Sequence, residues 1–375
     1  MGHILIGSSS NSMKLRMKPK IVLIRPGIHQ TDIDFSSSLA KRGFQAFLFV
    51  PANIDIKGMK VDEEVKLVRY KVYNKKSFVD YPLPKELLKN IKKIKPDIIQ
   101  INEDFQPYSW ISAHYCKKYN KNLVLISEKY TSATKFNKTM ITLIDFLRLS
   151  KNVWEQSRVI ISHGSATTKF LKERGCKKDI ANLPIGVKIK EFPQKKKYNI
   201  KAPLELVCVA RFIPHKGLDV LIKAINGLRD VNLTIIGKGP LENEIGQLIK
   251  ELKLQNRVKI MPYIPHNKLY QSFHKSDIYV CSSIREIAST TIPEAMAAGL
   301  PIIVTDAGSS KDFIVDKYNG LIFKSGDIKD LARKIEFFLK NHKLIETMGK
   351  RSARLTEKGL NWEALIDKYV DLIIK

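Results

Sequence analysis

Short apolar runs alternate with amphipathic stretches along most of this chain. Strand-length runs fall at 21–24, 46–50, 98–101, 123–126 and 159–162, and stretches with helical spacing fall between them, from about 34 to 41, at 85–95, 109–118 and 165–174. The alternation restarts after residue 200. Strands are expected at 204–210, 232–236, 258–261, 277–281, 301–305 and 320–323, with helices at 217–226, 242–252, 268–275 and 328–341. A last helix, 362–374, places Trp362, Leu365, Ile366, Tyr369, Val370 and Ile373 on its apolar side. Strand followed by helix, repeated, predicts parallel sheets covered on both faces, with ligands at the C-terminal strand ends.

Three segments interrupt the pattern. Residues 1–20 combine a short apolar patch with a Gly/Ser run and extra methionines at Met13 and Met17, and read as an unstructured or appended leader. A basic stretch, 66–76, carries no clear period. Phe192-Pro193-Gln194-Lys195-Lys196-Lys197 has the proline and charge of an interdomain linker. The resulting division is a first Rossmann-like domain over 21–195, a second over 196–361, and the final helix over 362–375. Residues 134–155 read as one long helix whose broad apolar face, including Met140, Leu143, Phe146 and Leu147, is ringed by Lys135, Lys138, Arg148 and Lys151. Such a helix either packs on its own sheet or lies on a membrane.

The 375 residues suffice for two substantial cores, and no apolar run reaches the 18 residues of a membrane span. Cys116, Cys176, Cys208 and Cys281 are far apart, which suggests neither a disulfide framework nor zinc and fits a cytoplasmic protein. The eight histidines show no ligand spacing, so no metal is expected. Net charge is +28, of which residues 1–200 hold +21. That field would attract an anionic membrane surface, an acidic acceptor or nucleic acid, unless it reflects only a Lys-rich bias. The aromatics are not interleaved with the basic residues as a nucleic-acid stacking platform requires, so nucleic acid is the disfavoured partner.

The densest candidate chemistry lies at 282–308. Glu286 follows a strand, and Ser289-Thr290-Thr291 leads into Ile292-Pro293-Glu294, where Pro near the start and Glu in the first turn suit a helix N-terminus. Free N–H groups there attract a phosphate. Flanking carboxylates are better acceptors for sugar hydroxyls, at about 1.5–3 kcal/mol for each charge-assisted bond. Phosphate between hydroxyl-rich groups describes a nucleotide sugar. Singly, Glu294 also reads as a helix-start acid and Glu286 as a solvated loop acid. Arg211 and Lys216, between a strand end and a helix start, can hold a diphosphate from two sides and stabilise it as it leaves, or be two solvated cations in a turn. Gly237-Lys238-Gly239-Pro240 is a strand-to-helix turn and, as a bare G-x-G, a weak nucleotide signal.

Glu286, seven intervening residues and Glu294, continued by Ala295-Met296-Ala297-Ala298-Gly299-Leu300-Pro301, resemble the E-x7-E signature of retaining glycosyltransferases of family 4. The resemblance implies a GT-B fold, two Rossmann-like domains facing a cleft with the last helix crossing back to the first. It implies a reaction moving a sugar from a UDP- or GDP-type nucleotide sugar to a hydroxyl acceptor with retention, without cofactor or metal. By it, Arg211, Lys216 and Glu286 are catalytic, Glu286 taking the sugar's hydroxyls. Glu294 takes the ribose, Ser289, Thr290 and Thr291 the phosphate, and Gly237, Gly239 and Ile264 line the base. The acceptor, a lipid-linked or polysaccharide precursor or a small molecule, falls to the first domain, where Gly27, Glu103 and Glu128 are the candidates, at the inner face of the membrane if the acceptor is a lipid. Departures are Ile287-Ala288-Ser289 and Ser309-Ser310 where the family carries glycines, and Glu128 where it often carries His. An epimerase or hydrolase of the same fold is the nearest alternative.

Overall fold

The computed structural model describes residues 18–25, 27–56, 58–72, 84–128, 135–286 and 289–374, with side chains at 135–138 excepted. Most of the expected leader, the end of the 66–76 stretch, and Ile287 and Ala288 of the signature loop lie outside the described residues. Seven parallel strands build the first sheet: β1 (Lys20–Ile24), β2 (Gln45–Pro51), β3 (Lys66–Tyr70), β4 (Ile98–Asn102), β5 (Asn122–Ser127), β6 (Ser157–Ser162) and β7 (Ile180–Asn182), in the order β3-β2-β1-β4-β5-β6-β7. Six more, also parallel, build the second: β8 (Leu204–Val209), β9 (Val231–Ile236), β10 (Val258–Met261), β11 (Ile278–Cys281), β12 (Ile302–Thr305) and β13 (Gly320–Phe323), ordered β10-β9-β8-β11-β12-β13. Both orders reverse beside their first strand, β1 against β4 and β8 against β11, and such a switch point opens a crevice at the C-terminal strand ends. The expected pair of Rossmann-like units is present.

Several expected elements change. The first helix runs Gln30–Lys41, four residues longer at its start, because the His29 amide donates to Asp32 in a capping box. The single helix expected over 134–155 is two, Lys135–Phe146 and Leu149–Gln156, broken where Arg148 adopts a left-handed backbone at φ 56°. Arg174 spans that break, donating to Asp145 on one side and Ser150 on the other while pairing with buried Asp104. The proposed linker is exposed at Pro193, Gln194, Lys196 and Lys197 but pinned at two points: Phe192 is fully buried and Lys195 nearly so, its ammonium donating to the Ser276 carbonyl at 2.7 Å. Lys20 belongs to β1 rather than to a leader.

The chain returns at the end. Leu365, Ile366, Tyr369 and Ile373 of the Trp362–Ile374 helix are buried in the first domain's core with Ile21, Leu23, Val124 and Ile161. Among the described residues no helix is long and apolar enough to cross a membrane.

Candidate active site

At the end of β8 the chain turns through Arg211 to Gly217. Gly217 sits at φ 59°, and a Cβ there would lie 2.3 Å from the Ser282 carbonyl oxygen, so the turn rests directly on the end of β11. Ser282 Oγ donates to the Lys216 carbonyl at 3.0 Å and the Ile284 amide to that of His215 at 2.9 Å. This contact brings Lys216 Nζ to 2.5 Å from Glu286 Oε2, which also accepts from Ser283 Oγ at 2.8 Å. Arg211 stands exposed on the same turn. Burial and the neighbouring Lys216 and Arg285 cations hold the His215 imidazole below its ordinary value.

The Gly237–Gly239 turn packs against the other side. A Cβ at Gly237 would lie 2.0 Å from the Ala210 carbonyl and one at Gly239 2.5 Å from that of Phe212, while the Phe212 amide donates to the Lys238 carbonyl at 3.0 Å. These glycines therefore set the position of the Arg211 turn. Just beyond β10, Tyr263 is exposed, with the Lys238 ammonium 6.0 Å from its ring, and Ile264 is half-buried.

Glu294 lies in the short helix Thr291–Ala297 and is 6% exposed. Its Oε1 is 2.8 Å from His266 Nε2, and its Oε2 is buried with no hydrogen-bond partner. Burial pushes this carboxyl above the ordinary range and the hydrogen bond from His266 pulls it back. The same bond raises the His266 pKa, against burial. Thr291 Oγ1 lies 2.6 Å from Tyr279 Oη and 3.0 Å from Ser289 Oγ, so these hydroxyls bond one another, while Thr290, at the N-cap position, is exposed and makes no side-chain capping bond.

On the first domain the two acceptor-side carboxylates differ. Glu103, a non-glycine at φ 67°, is buried, with one carboxylate oxygen accepting from the Glu128 amide at 3.0 Å and the other from Ser127 Oγ at 3.1 Å. It fastens the end of β5 and is buried, not exposed as a strand-end acid at the rim would be. Glu128 is half-exposed, and Arg25, Asn102 and His163 converge on its Oε1 at 3.4, 3.1 and 3.9 Å. Arg25 also pairs with Asp32 at 3.1 Å. His163 Nδ1 is 2.7 Å from the Leu183 carbonyl, which can only accept, so that nitrogen carries the proton. A Cβ at Gly27, on the bend after β1, would meet nothing within 4 Å.

The crevice is closed at one end by direct contact between the domains. Ser165 donates through its amide and Oγ to Asp312 at 2.6 and 2.7 Å, and a Cβ at Gly164 would lie 2.3 Å from that of Ser309. Behind this contact a cavity of about 250 Å³ is lined by His163, Asn182, Pro184, Met296, Phe313 and Leu360. The four cysteines are free and buried, and burial pushes the Cys281 and Cys116 thiols up to about 11 and about 12, which leaves neither a nucleophile. Among the described residues no three His, Cys, Asp or Glu side chains gather as a metal set.

The structure therefore gathers Arg211, Lys216, Gly237, Gly239 and Glu286 at the ends of β8, β9 and β11, with Glu294 and Ile264 beside the β10 and β11 loops. Sequence reasoning missed His266, Arg25 and His163. Their only signal was a place just after a strand, which histidine spacing does not report.

Residues 190–355 match the family of glycosyl transferases group 1. The chain is 22% identical to an uncharacterized glycosyltransferase of Methanocaldococcus jannaschii, covering 95% of this chain and 97% of that one. Over 45% of this chain and 49% of its own length, a lipopolysaccharide core biosynthesis glycosyltransferase of Rhizobium meliloti is 27% identical. Among solved structures, Anabaena HepE in complex with UDP superposes with a TM-score of 0.79 at 16% identity, over 94% of this chain and 98% of that one.

Proposed function

We infer that this chain, which carries a glycosyltransferase group 1 domain on a GT-B fold, moves a sugar from a nucleotide diphosphate sugar to a hydroxyl acceptor with retention of configuration. The observation that carries this reading is the buried Glu294 carboxylate with one oxygen unpartnered. A buried acceptor without a donor costs about 1–3 kcal/mol, and a ribose diol supplies the missing hydrogen bonds. In this reading Arg211 and Lys216 hold the diphosphate, Glu286 takes the sugar's hydroxyls, and Ser289, Thr290 and Thr291 lie near the phosphate. Gly237, Gly239 and Ile264 border the base of a UDP- or GDP-type donor, held there by main-chain groups. As the sugar C1–O bond breaks, charge grows on the diphosphate, where the two cations act more strongly than in the ground state. Retention requires the acceptor oxygen to bond to C1 from the face the diphosphate leaves, so its proton passes to that side. Glu128, with Arg25 and His163, then borders the acceptor. A thermal-shift series with UDP, GDP and ADP tests the reading. One nucleotide at a hundred times its dissociation constant is expected to stabilise the fold by about 2.7 kcal/mol. Glu294→Ala should abolish that shift; a shift that survives it removes Glu294 from the site.

The acceptor is proposed to be a lipid-linked or polysaccharide precursor met at an anionic membrane. Leu143, Phe146 and Leu147 are exposed on and just after the Lys135–Phe146 helix, beside exposed Arg148 and Lys151. Arg174 anchors the helix beneath through Asp145. Basic residues near an anionic surface contribute about 1 kcal/mol each. Co-sedimentation with anionic vesicles at low salt is expected, and Phe146→Glu should weaken it severalfold; no co-sedimentation of the wild-type chain ends this proposal.

A further inference from the structure

Four charged side chains and one imidazole form a chain of ion-pair contacts from the first domain to Glu294. Asp34, on the Gln30–Lys41 helix, holds Lys188 Nζ at 2.5 Å. Lys188 lies 3.6 Å from Glu191 on the Ile189–Glu191 turn, where the chain crosses between domains. Glu191 Oε2 lies 3.5 Å from His266 Nδ1, and His266 Nε2 lies 2.8 Å from Glu294 Oε1. The ring of Phe192 stands edge-on to the imidazole at 5.1 Å between centroids. Each ring nitrogen thus faces a carboxylate, and only the imidazolium donates from both.

We infer that His266 is a positioning residue: bridging Glu191 and Glu294, its imidazolium orients the Glu294 carboxylate for the nucleotide's ribose and ties that site to the first domain through Lys188 and Asp34. This rests on the reading of Glu294 as the ribose-binding carboxylate. The arrangement leaves Oε2 as the buried atom that lacks a partner, while Oε1 keeps a second lone pair beside the His266 bond. When the ring loses its proton, one nitrogen presents a lone pair to a carboxylate and the clamp loosens. Nucleotide affinity therefore declines as pH rises through the His266 pKa, which its Glu294 hydrogen bond holds above the ordinary value. The charged groups facing the ring are Glu294, Glu191 and, at longer range, Lys188, which opposes protonation.

The test is calorimetric binding of UDP, GDP and ADP, each with its 2′-deoxy counterpart, from about pH 7 to about pH 8.5, where phosphates are already ionised. The wild-type chain should bind one ribonucleotide at least tenfold tighter than its deoxy form, with affinity declining severalfold across the range. His266→Gln, which keeps one donor but no charge, should bind more weakly at the low end, show a flat profile and discriminate less between ribose and deoxyribose. Glu191→Gln should move the decline to lower pH and Lys188→Met to higher pH, although neither side chain touches Glu294. Equal binding of ribose and deoxyribose forms by the wild-type chain overturns the ribose reading and this inference with it. Discrimination in the wild-type chain with an unchanged pH slope in His266→Gln overturns the role of His266 alone.

Discussion

Lys216 and Glu286 occupy each other, at 2.5 Å and largely out of solvent. In the proposed reading a diphosphate would draw the ammonium away from Glu286 and free its carboxylate for the sugar. Glu286→Gln keeps the shape and removes the internal competitor. Nucleoside diphosphate should bind roughly threefold to tenfold tighter, about 1 kcal/mol, while transfer falls about a hundredfold for loss of one charged contact in the transition state. Calorimetry with UDP or GDP beside a turnover assay checks both, and weaker nucleotide binding would show that the carboxylate supports Lys216 rather than competing for it. Glu286 and Glu294 were legible through a resemblance, their spacing together with the Ala295-Met296-Ala297-Ala298-Gly299-Leu300-Pro301 tail matching a known signature. It said nothing of His266 or Arg25. Their importance comes from carboxylates 28 and 103 positions away, and a local pattern carries no such information.

Elements were legible where burial and apolarity coincide. β13 is a short, largely buried apolar run, and its bounds match the expected ones. The His342–Gly359 helix was missed because its buried face is Ile345, Met348, Gly349, Ser352 and Thr356, small or polar from Gly349 onward. Gly349 lies so close to Gly299 that a Cβ would stand 2.2 Å from the carbonyl oxygen, so that face is selected for close approach rather than hydrophobicity. The start of the Gln30–Lys41 helix is set by the His29–Asp32 capping box, which apolar spacing does not report. The Arg148 break has a different cause: one left-handed residue lets Arg174 collect partners from both helices, a constraint written in residue 174 and not in the helix itself. β7, three residues at a sheet edge and partly exposed, carries too little apolar surface to register.

The whole molecule is held by a chain end that belongs to the other domain. Tyr369, on the last helix, is fully buried and donates to Gln100 Oε1 on β4 at 2.5 Å, while Gln100 Nε2 has no partner. Tyr369→Phe would leave the whole Gln100 amide buried and unsatisfied, at a cost of about 1–3 kcal/mol. The same helix is also fastened from outside by Arg42 to Glu363 and Asp367, both 66% exposed, and such pairs contribute about 0–1 kcal/mol. The two contacts predict different outcomes. Tyr369→Phe should lower the thermal midpoint by several degrees, at roughly 2–4 °C per kcal/mol for a domain of this size, and Asp367→Asn by about a degree or less. Differential scanning calorimetry of the two variants decides between a buried and a surface attachment. Equal, small shifts would mean that the apolar contacts of Leu365, Ile366 and Ile373 alone hold the helix across the first domain.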